Sequence, residues 1–308
     1  MADPAPRASF AQHLAWRLEA AAYDVMSGLL HLLPVDWVSD AGAALFKVIG
    51  PLTPNQRIAG RNIDIAFPDL TPEARAELLT AQWDSLGRTF FEFLISDRLT
   101  LSSGRVEVEG MERLQQIAAS GRPVVFVSGH LSNWEVMPAT IVQAGVPCQM
   151  TYRAANNPYV DARIRASRAR YGVKLFAPKG GEGARELLEG MERGLSVALM
   201  NDQKFNGGIA LPFFGRIAHT AAGPSRLALK FGCVLQTMSV QRLKGARFKV
   251  VVHEPITVEK TGDRVRDLEA GVAKINAFVE ARIRERPAEW FWVHKRWPRE
   301  AYARDAEI

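Results

Sequence analysis

The sequence predicts an α/β fold, a mostly parallel mixed sheet flanked by helices, and three observations predict it. Strand-length runs recur through residues 106–252, alternating at 106–109 and continuously apolar at 124–127, the latter as expected for a strand buried on both faces. Helical segments separate most of these runs, the alternation that places parallel strands in one sheet. Polar residues follow the ends of several runs, at His130, Arg153 and Asp202, and the carboxyl edge is where open α/β sheets bind ligands. The chain has 308 residues, 47% hydrophobic and 23% charged. That is enough to bury a sizeable core and unlike a disordered or multi-span membrane chain. With no internal repeat and no long linker, we expect one domain at 56–308 behind an N-terminal helical extension at 1–55.

Residues 10–33 are apolar but interrupted by Arg17, Glu19, Asp24 and His31, and Pro34 closes them. A second apolar segment at 38–49 contains Asp40 and Lys47. Neither supplies the roughly 20 uncharged residues of a spanning helix. They are expected as amphipathic helices in a bilayer interface, with Trp16, Tyr23 and Trp37 as anchors. The alternative is two ordinary helices packed on the domain. A helix at 57–67 should end before Pro68, and Thr71 followed by Pro72 starts another that runs to Leu94. Strands are then expected at 106–109, 124–127, 146–153, 173–176, 195–200, 233–242 and 248–252. Helices fall at 111–119, 158–171, 183–191, 222–231 and 267–284. The loop after residue 203, rich in glycine and phenylalanine, reads as the wall of a shaped pocket.

The formal charge of +6 points to an anionic partner. No helix-turn-helix, RNA-binding sheet motif or zinc finger accompanies it, so nucleic acid is not expected. Arg163, Arg165, Arg168, Arg170, Lys174 and Lys179 form a basic run suited to an acidic carrier protein or anionic membrane, unless it is only a solvated face. Cys148 and Cys233 sit in apolar runs and read as reduced core residues. The N-terminus lacks the order of a secretory signal.

Chemistry concentrates in Gly129-His130-Leu131-Ser132-Asn133-Trp134-Glu135, where a buried strand gives way to a helix. Within one helix, positions five apart lie about 140° apart. His130 in the turn and Glu135 in the first helical turn could instead converge, the carboxylate favouring an imidazolium. An equally good reading is a buried histidine held by backbone groups, with Glu135 at a helix N-terminus. A zincin helix would need a second histidine at helical spacing, which is lacking, so no metal is expected. Arg153 ends a strand, where it could clamp a phosphate or carboxylate or simply pair with Asp161. Lys179-Gly180-Gly181-Glu182-Gly183 lacks the ending of a P-loop and reads as a turn near the site. Asn201-Asp202-Gln203 forms a polar trio at another strand end. No Gly-x-Ser-x-Gly motif supports a covalent acyl-enzyme.

The Gly-His-x-x-Asn-Trp-Glu pattern resembles the His-x4-acid motif of the lysophospholipid acyltransferase superfamily. Its Asn-Trp-Glu version is similar to the late acyltransferases of lipid A biosynthesis, the lauroyl and myristoyl transferases, which often carry Gly in place of Ser132. Asp202-Gln203, Phe213-Phe214-Gly215, Thr220, Gly223-Pro224 and the stretch from Trp290 to Trp297 resemble that branch in order, as does Arg61-Asn62 through Phe67-Pro68. The resemblance covers most of residues 57–298. It implies a peripheral or monotopic enzyme on the cytoplasmic face of the bacterial inner membrane. Such an enzyme moves an acyl chain from a thioester, usually on acyl carrier protein, to a hydroxyl of a lipid A precursor without a cofactor. It also implies His130 as general base with Glu135 orienting it as one unit, and Arg153, Asp202, Asn133 and Gln203 as substrate-binding residues. The oxyanion would need backbone N–H groups near Gly129 or a cation. Rival readings are the same chemistry on a glycerophospholipid, a phosphatidylinositol mannoside or an amino-acid lipid, and a non-catalytic membrane or carrier-binding module.

Overall fold

The computed structural model describes residues 8–152, 154–173, 176–178 and 181–303. Arg153, Lys174, Lys179 and Gly180 lie outside the described residues. Among those described, strands β1 (Val106–Glu109), β2 (Val125–Ser128), β3 (Cys148–Tyr152), β4 (Phe176–Pro178) and β5 (Ser196–Met200) come first in the chain. A separate hairpin, β6 (Ile209–Phe213) and β7 (Arg216–Thr220), follows, and then β8 (Leu235–Arg242) and β9 (Phe248–Val252). All but the hairpin join one sheet in the order β1-β9-β8-β2-β5-β3-β4. Only β8 and β9 pair antiparallel within it, so the sheet is mixed and mostly parallel, as the alternation predicts.

β2 lies between β5 and β8. A central strand is covered on both faces, which is why Val125, Phe126 and Val127 form an unbroken apolar run. Val125 and Val127 point to one core, with Trp290, Trp292 and Trp297. Phe126 points to the other, with Met137 and Ile141. The helices on these faces are α3 (Asn55–Ala66), α4 (Pro72–Phe93), α5 (Met111–Ser120), α6 (Val136–Gln143), α7 (Pro158–Arg170), α8 (Gly181–Glu192), α9 (Gly223–Phe231) and α10 (Arg264–Glu285), preceded by α1 (Phe10–His31) and α2 (Val35–Ile49).

α2 crosses α4 at Gly42 and Gly87, where a Cβ on either residue would overlap the other's carbonyl oxygen. This close approach locks α2 to the domain. α1 is held differently. Arg163 of α7 grips Asp24 with two bonds of 2.6 Å, and Asn157 donates to Trp16 O and Glu19 Oε2, both at 2.8 Å. No residue of α7 is fully buried, and these polar pins tie it to α1. Arg170 adds a bond to Asp97 at 3.0 Å. The basic run expected as an anionic-partner face is thus substantially paired with acids from distant segments.

No helix among the described residues is long and apolar enough to cross a membrane. α1 nevertheless leaves Phe10, Leu14, Leu18, Val25 and Leu29 exposed. At about 100° per residue these five fall within a stripe roughly 100° wide. Trp37, Val48 and Leu52, on or just after α2, are also exposed.

Three local expectations differ from the structure. The strand expected at 173–176 lies at Phe176–Pro178. α6 begins at Val136 rather than before Glu135, because residues 131–135 form a turn. The loop after residue 203 contains the hairpin, whose turn places Phe214 at φ 50° and Gly215 at φ 71°. Two successive positive φ values are what a tight hairpin turn demands.

Candidate active site

The end of β2 delivers Ser128, Gly129 and His130 beside the end of β5, which delivers Asn201 and Asp202. The Asn201 N–H donates to Ser128 O at 3.0 Å, extending the parallel pairing by one bond. Gly129 permits the approach, since a Cβ there would press on Asp202 and Val279 at 3.2 Å. His130 then meets Asp202 twice. Its backbone N–H donates to Oδ2 at 2.7 Å, and Nδ1 lies 2.6 Å from Oδ1. The Trp290 indole N–H donates to Oδ2 at 2.7 Å.

The Asp202 side chain is only 2% exposed. Burial alone would raise its pKa, but the His130 charge, the two His130 hydrogen bonds and the Trp290 indole outweigh burial and hold it at about 2. An ionised carboxylate only accepts, so Nδ1–H donates to Asp202, and in the neutral imidazole this leaves Nε2 as the acceptor. The ring is flanked by Trp134, with centroids 5.0 Å apart, and by Phe291 at 6.1 Å. The Phe291 N–H donates to His130 O, so the aromatic C-terminal segment fixes both the histidine and its partner. Asn62 of α3 anchors that segment in turn, donating to Trp292 O and His294 O.

Glu135 borders the same cavity but does not take the place expected of it beside the imidazole. Its carboxylate is spent on Arg168 of α7, with three contacts of 2.8–3.2 Å. The intervening turn accounts for the difference. Ser132 adopts φ 49°, with its N–H on Glu289 O and its carbonyl accepting from Thr89 Oγ1. Asn133, expected to bind substrate, is 1% exposed. Its amide donates to Glu92 Oε2 and accepts the Glu135 N–H. Glu92 is fully buried and is held by Arg242 and Ser39. Asn133 therefore positions the turn. Gln203 lines the cavity, and Arg153 lies outside the described residues. Sequence reading did not foresee Trp290 or Arg168 as the partners of these carboxylates, because each acts across a long separation that no local pattern marks.

Ser132 has its hydroxyl buried without a hydrogen-bond partner among the described residues. Glycine removes both the left-handed strain and the unpaired hydroxyl, at some cost in chain entropy. Ser132→Gly is expected to stabilise the protein by about 1 kcal/mol in denaturant titrations; a loss of stability would show that the hydroxyl contributes a bond.

The cavity bounded by His130, Glu135 and Gln203 has a volume of about 800 Å³. Phe126, Ile141, Met150, Met200 and Met238 supply apolar wall, and the methionines adapt readily to a flexible ligand. Gly183 also borders it, and it lies within α8 (Gly181–Glu192), where a turn was expected. A histidine poised to accept a proton beside such a space suits an enzyme that activates a polar group next to a long apolar one.

Comparison with known proteins gives this class its family. The family described as bacterial lipid A biosynthesis acyltransferase matches residues 10–299. A lipid A biosynthesis acyltransferase of Haemophilus influenzae is 22% identical over 302 residues, 93% of this chain and 92% of its own length. The lipid A biosynthesis palmitoleoyltransferase and lauroyltransferase of Escherichia coli are 24% and 23% identical, each over 78% of both chains. The chain belongs to the bacterial lipid A biosynthesis acyltransferase family, among the late acyltransferases, and is an O-acyltransferase.

Proposed function

We propose that this enzyme moves a fatty acyl chain from the thioester of acyl carrier protein to a hydroxyl of a lipid A precursor, with His130 as general base. The observation that carries this reading is His130, paired with buried Asp202, bordering an apolar cavity. The acceptor oxygen attacks the thioester carbonyl carbon while Nε2 takes the hydroxyl proton. Asp202 stabilises the imidazolium. The C–S bond breaks as the tetrahedral intermediate collapses, and the departing thiolate takes the proton from Nε2. The test is transfer from lauroyl-acyl carrier protein by the purified enzyme, with products identified by mass spectrometry. A lipid A precursor is expected to be acylated and a lysophospholipid or mannoside lipid not. The reverse preference would reassign the acceptor.

The apolar stripe of α1, with the exposed residues on and after α2, supports a peripheral seat on the cytoplasmic face of the inner membrane. Charges in that stripe should oppose the seat without touching the core. Leu18→Glu with Leu29→Glu is expected to move most of the protein from sedimented anionic-lipid vesicles to the supernatant, with an unchanged melting temperature. Undiminished vesicle binding would show that another surface makes the contact.

A further inference from the structure

We infer that the side-chain amide of Asn201 is the oxyanion donor of this site. The inference rests on the acyl-transfer reading. Asn201 is 4% exposed, yet its Nδ2 has no hydrogen-bond partner among the described residues. An unpaired buried donor costs about 1–3 kcal/mol, so its persistence calls for a reason. Of the residues with buried side-chain atoms left unpartnered, Asn201 alone lines the cavity beside His130.

Its placement fits the task. Asn201 and Asp202 are consecutive at the end of β5. The Asp202 carboxylate is committed to His130 and Trp290, while Asn201 is tied through its backbone to Ser128. The base and the amide therefore sit on two adjacent strand ends, fixed before substrate arrives. The N-terminal end of α9 borders the same cavity at Gly223 and Pro224, and its dipole adds positive potential there.

In the reaction the acceptor oxygen bonds to the thioester carbon, its proton passes to His130 Nε2, and the carbonyl electron pair moves onto oxygen. Asn201 Nδ2–H donates to that oxygen as its charge develops. The pair returns when the C–S bond breaks, and the thiolate leaves with the proton from His130. Asn201 neither gains nor loses a proton. It stabilises charge present only between reactant and product, so its removal should affect turnover more than binding.

The experiment uses the full-length enzyme with lauroyl-acyl carrier protein and a lipid A precursor. It also measures affinity for the lauroyl thioether of the carrier, in which CH2 replaces the carbonyl. Asn201→Ala is expected to lower kcat by about 10²–10³-fold and to bind the thioether within threefold of wild type. Unchanged kcat overturns the inference, and so does an equal loss of kcat and thioether affinity, which would mark Asn201 as structural. The isosteric Asn201→Asp, which loses the amide donor, should show the same split, so the answer does not hang on one variant's folding. If His130→Ala is inactive and Asn201→Ala is not, only this assignment fails. If His130→Ala keeps wild-type activity, the acyl-transfer mechanism fails with it.

Discussion

Asp202→Asn is expected to slow acyl transfer by about 10³–10⁴-fold while leaving the protein folded. The amide fits the same space, and its oxygen can still accept from the His130 backbone N–H and the Trp290 indole. Its NH2 group, however, turns toward Nδ1 and offers a proton. The imidazole then carries its own proton on Nε2 and cannot take one from the acceptor hydroxyl. The imidazolium also loses its counter-charge. His130→Ala should lose comparable activity, and the double variant should be little worse than either single one, because the two groups act as a unit. The measurement is single-turnover transfer from the carrier thioester, with circular dichroism to verify folding. Activity within tenfold of wild type in a folded Asp202→Asn protein would separate this carboxylate from the chemistry.

The same residue leaves a mark on acid stability. A carboxylate held at about 2 in the fold and near 3.9 when unfolded contributes its full stability above pH 4. That contribution is lost as pH falls from about 4 toward 2. Asp202→Asn should remove this dependence, flattening the wild-type decline in that window.

Glu135→Gln is the second large effect, and stability is its principal expression. The Glu135 and Arg168 side chains are 13% and 14% exposed, and removing one charge of a buried pair typically costs about 3–5 kcal/mol. The lower end is expected, because Tyr171 also faces Arg168. The damage should spread through α7, none of whose residues is fully buried and which supplies Ile164 and Arg168 to the cavity wall. The pH dependence of the remaining activity should keep its shape, since Asp202 still sets the tautomer. Exchanging the charges, Glu135→Arg with Arg168→Glu, should recover part of the stability. The sequence suggests instead that Glu135 works through His130. A cycle of His130→Ala, Glu135→Gln and the double variant decides between them: independent losses fit the Arg168 clamp, and saturation would return Glu135 to the imidazole.

The sheet was legible because β2, β5 and β9 are largely apolar runs of the right length, and His130 was legible because it follows one of them. The identity of its carboxylate was not. Glu135 stands five positions away, whereas Asp202 stands 72 positions away, and a sequence offers the nearer candidate first. The turn that separates His130 from Glu135 depends on Ser132 in a conformation its residue type does not announce. The β6–β7 hairpin was hidden for a related reason. Pro212 lies inside β6, and the turn uses Phe214-Gly215 where asparagine-glycine would be the usual signal. Phe214 is held there by its N–H on Glu280 and by the ring of Phe67. The acids that pair with Arg163, Arg168 and Arg170 of the basic run, Asp24, Glu135 and Asp97, come from other segments, so no local pattern marks them.

The indole of Trp290 reaches Asp202 across 88 positions, and Asp202 reaches His130 across 72. During synthesis the imidazole therefore emerges long before its carboxylate, and the carboxylate long before its indole. At about 5–20 residues per second, several seconds separate each arrival. A nascent chain stopped between residues 202 and 290 would own its base and its acid but lack the segment that buries them together. Catalytic competence is consequently a late event in the life of each molecule. A nonsense mutation within that interval should abolish activity even though most of the sheet has already been made.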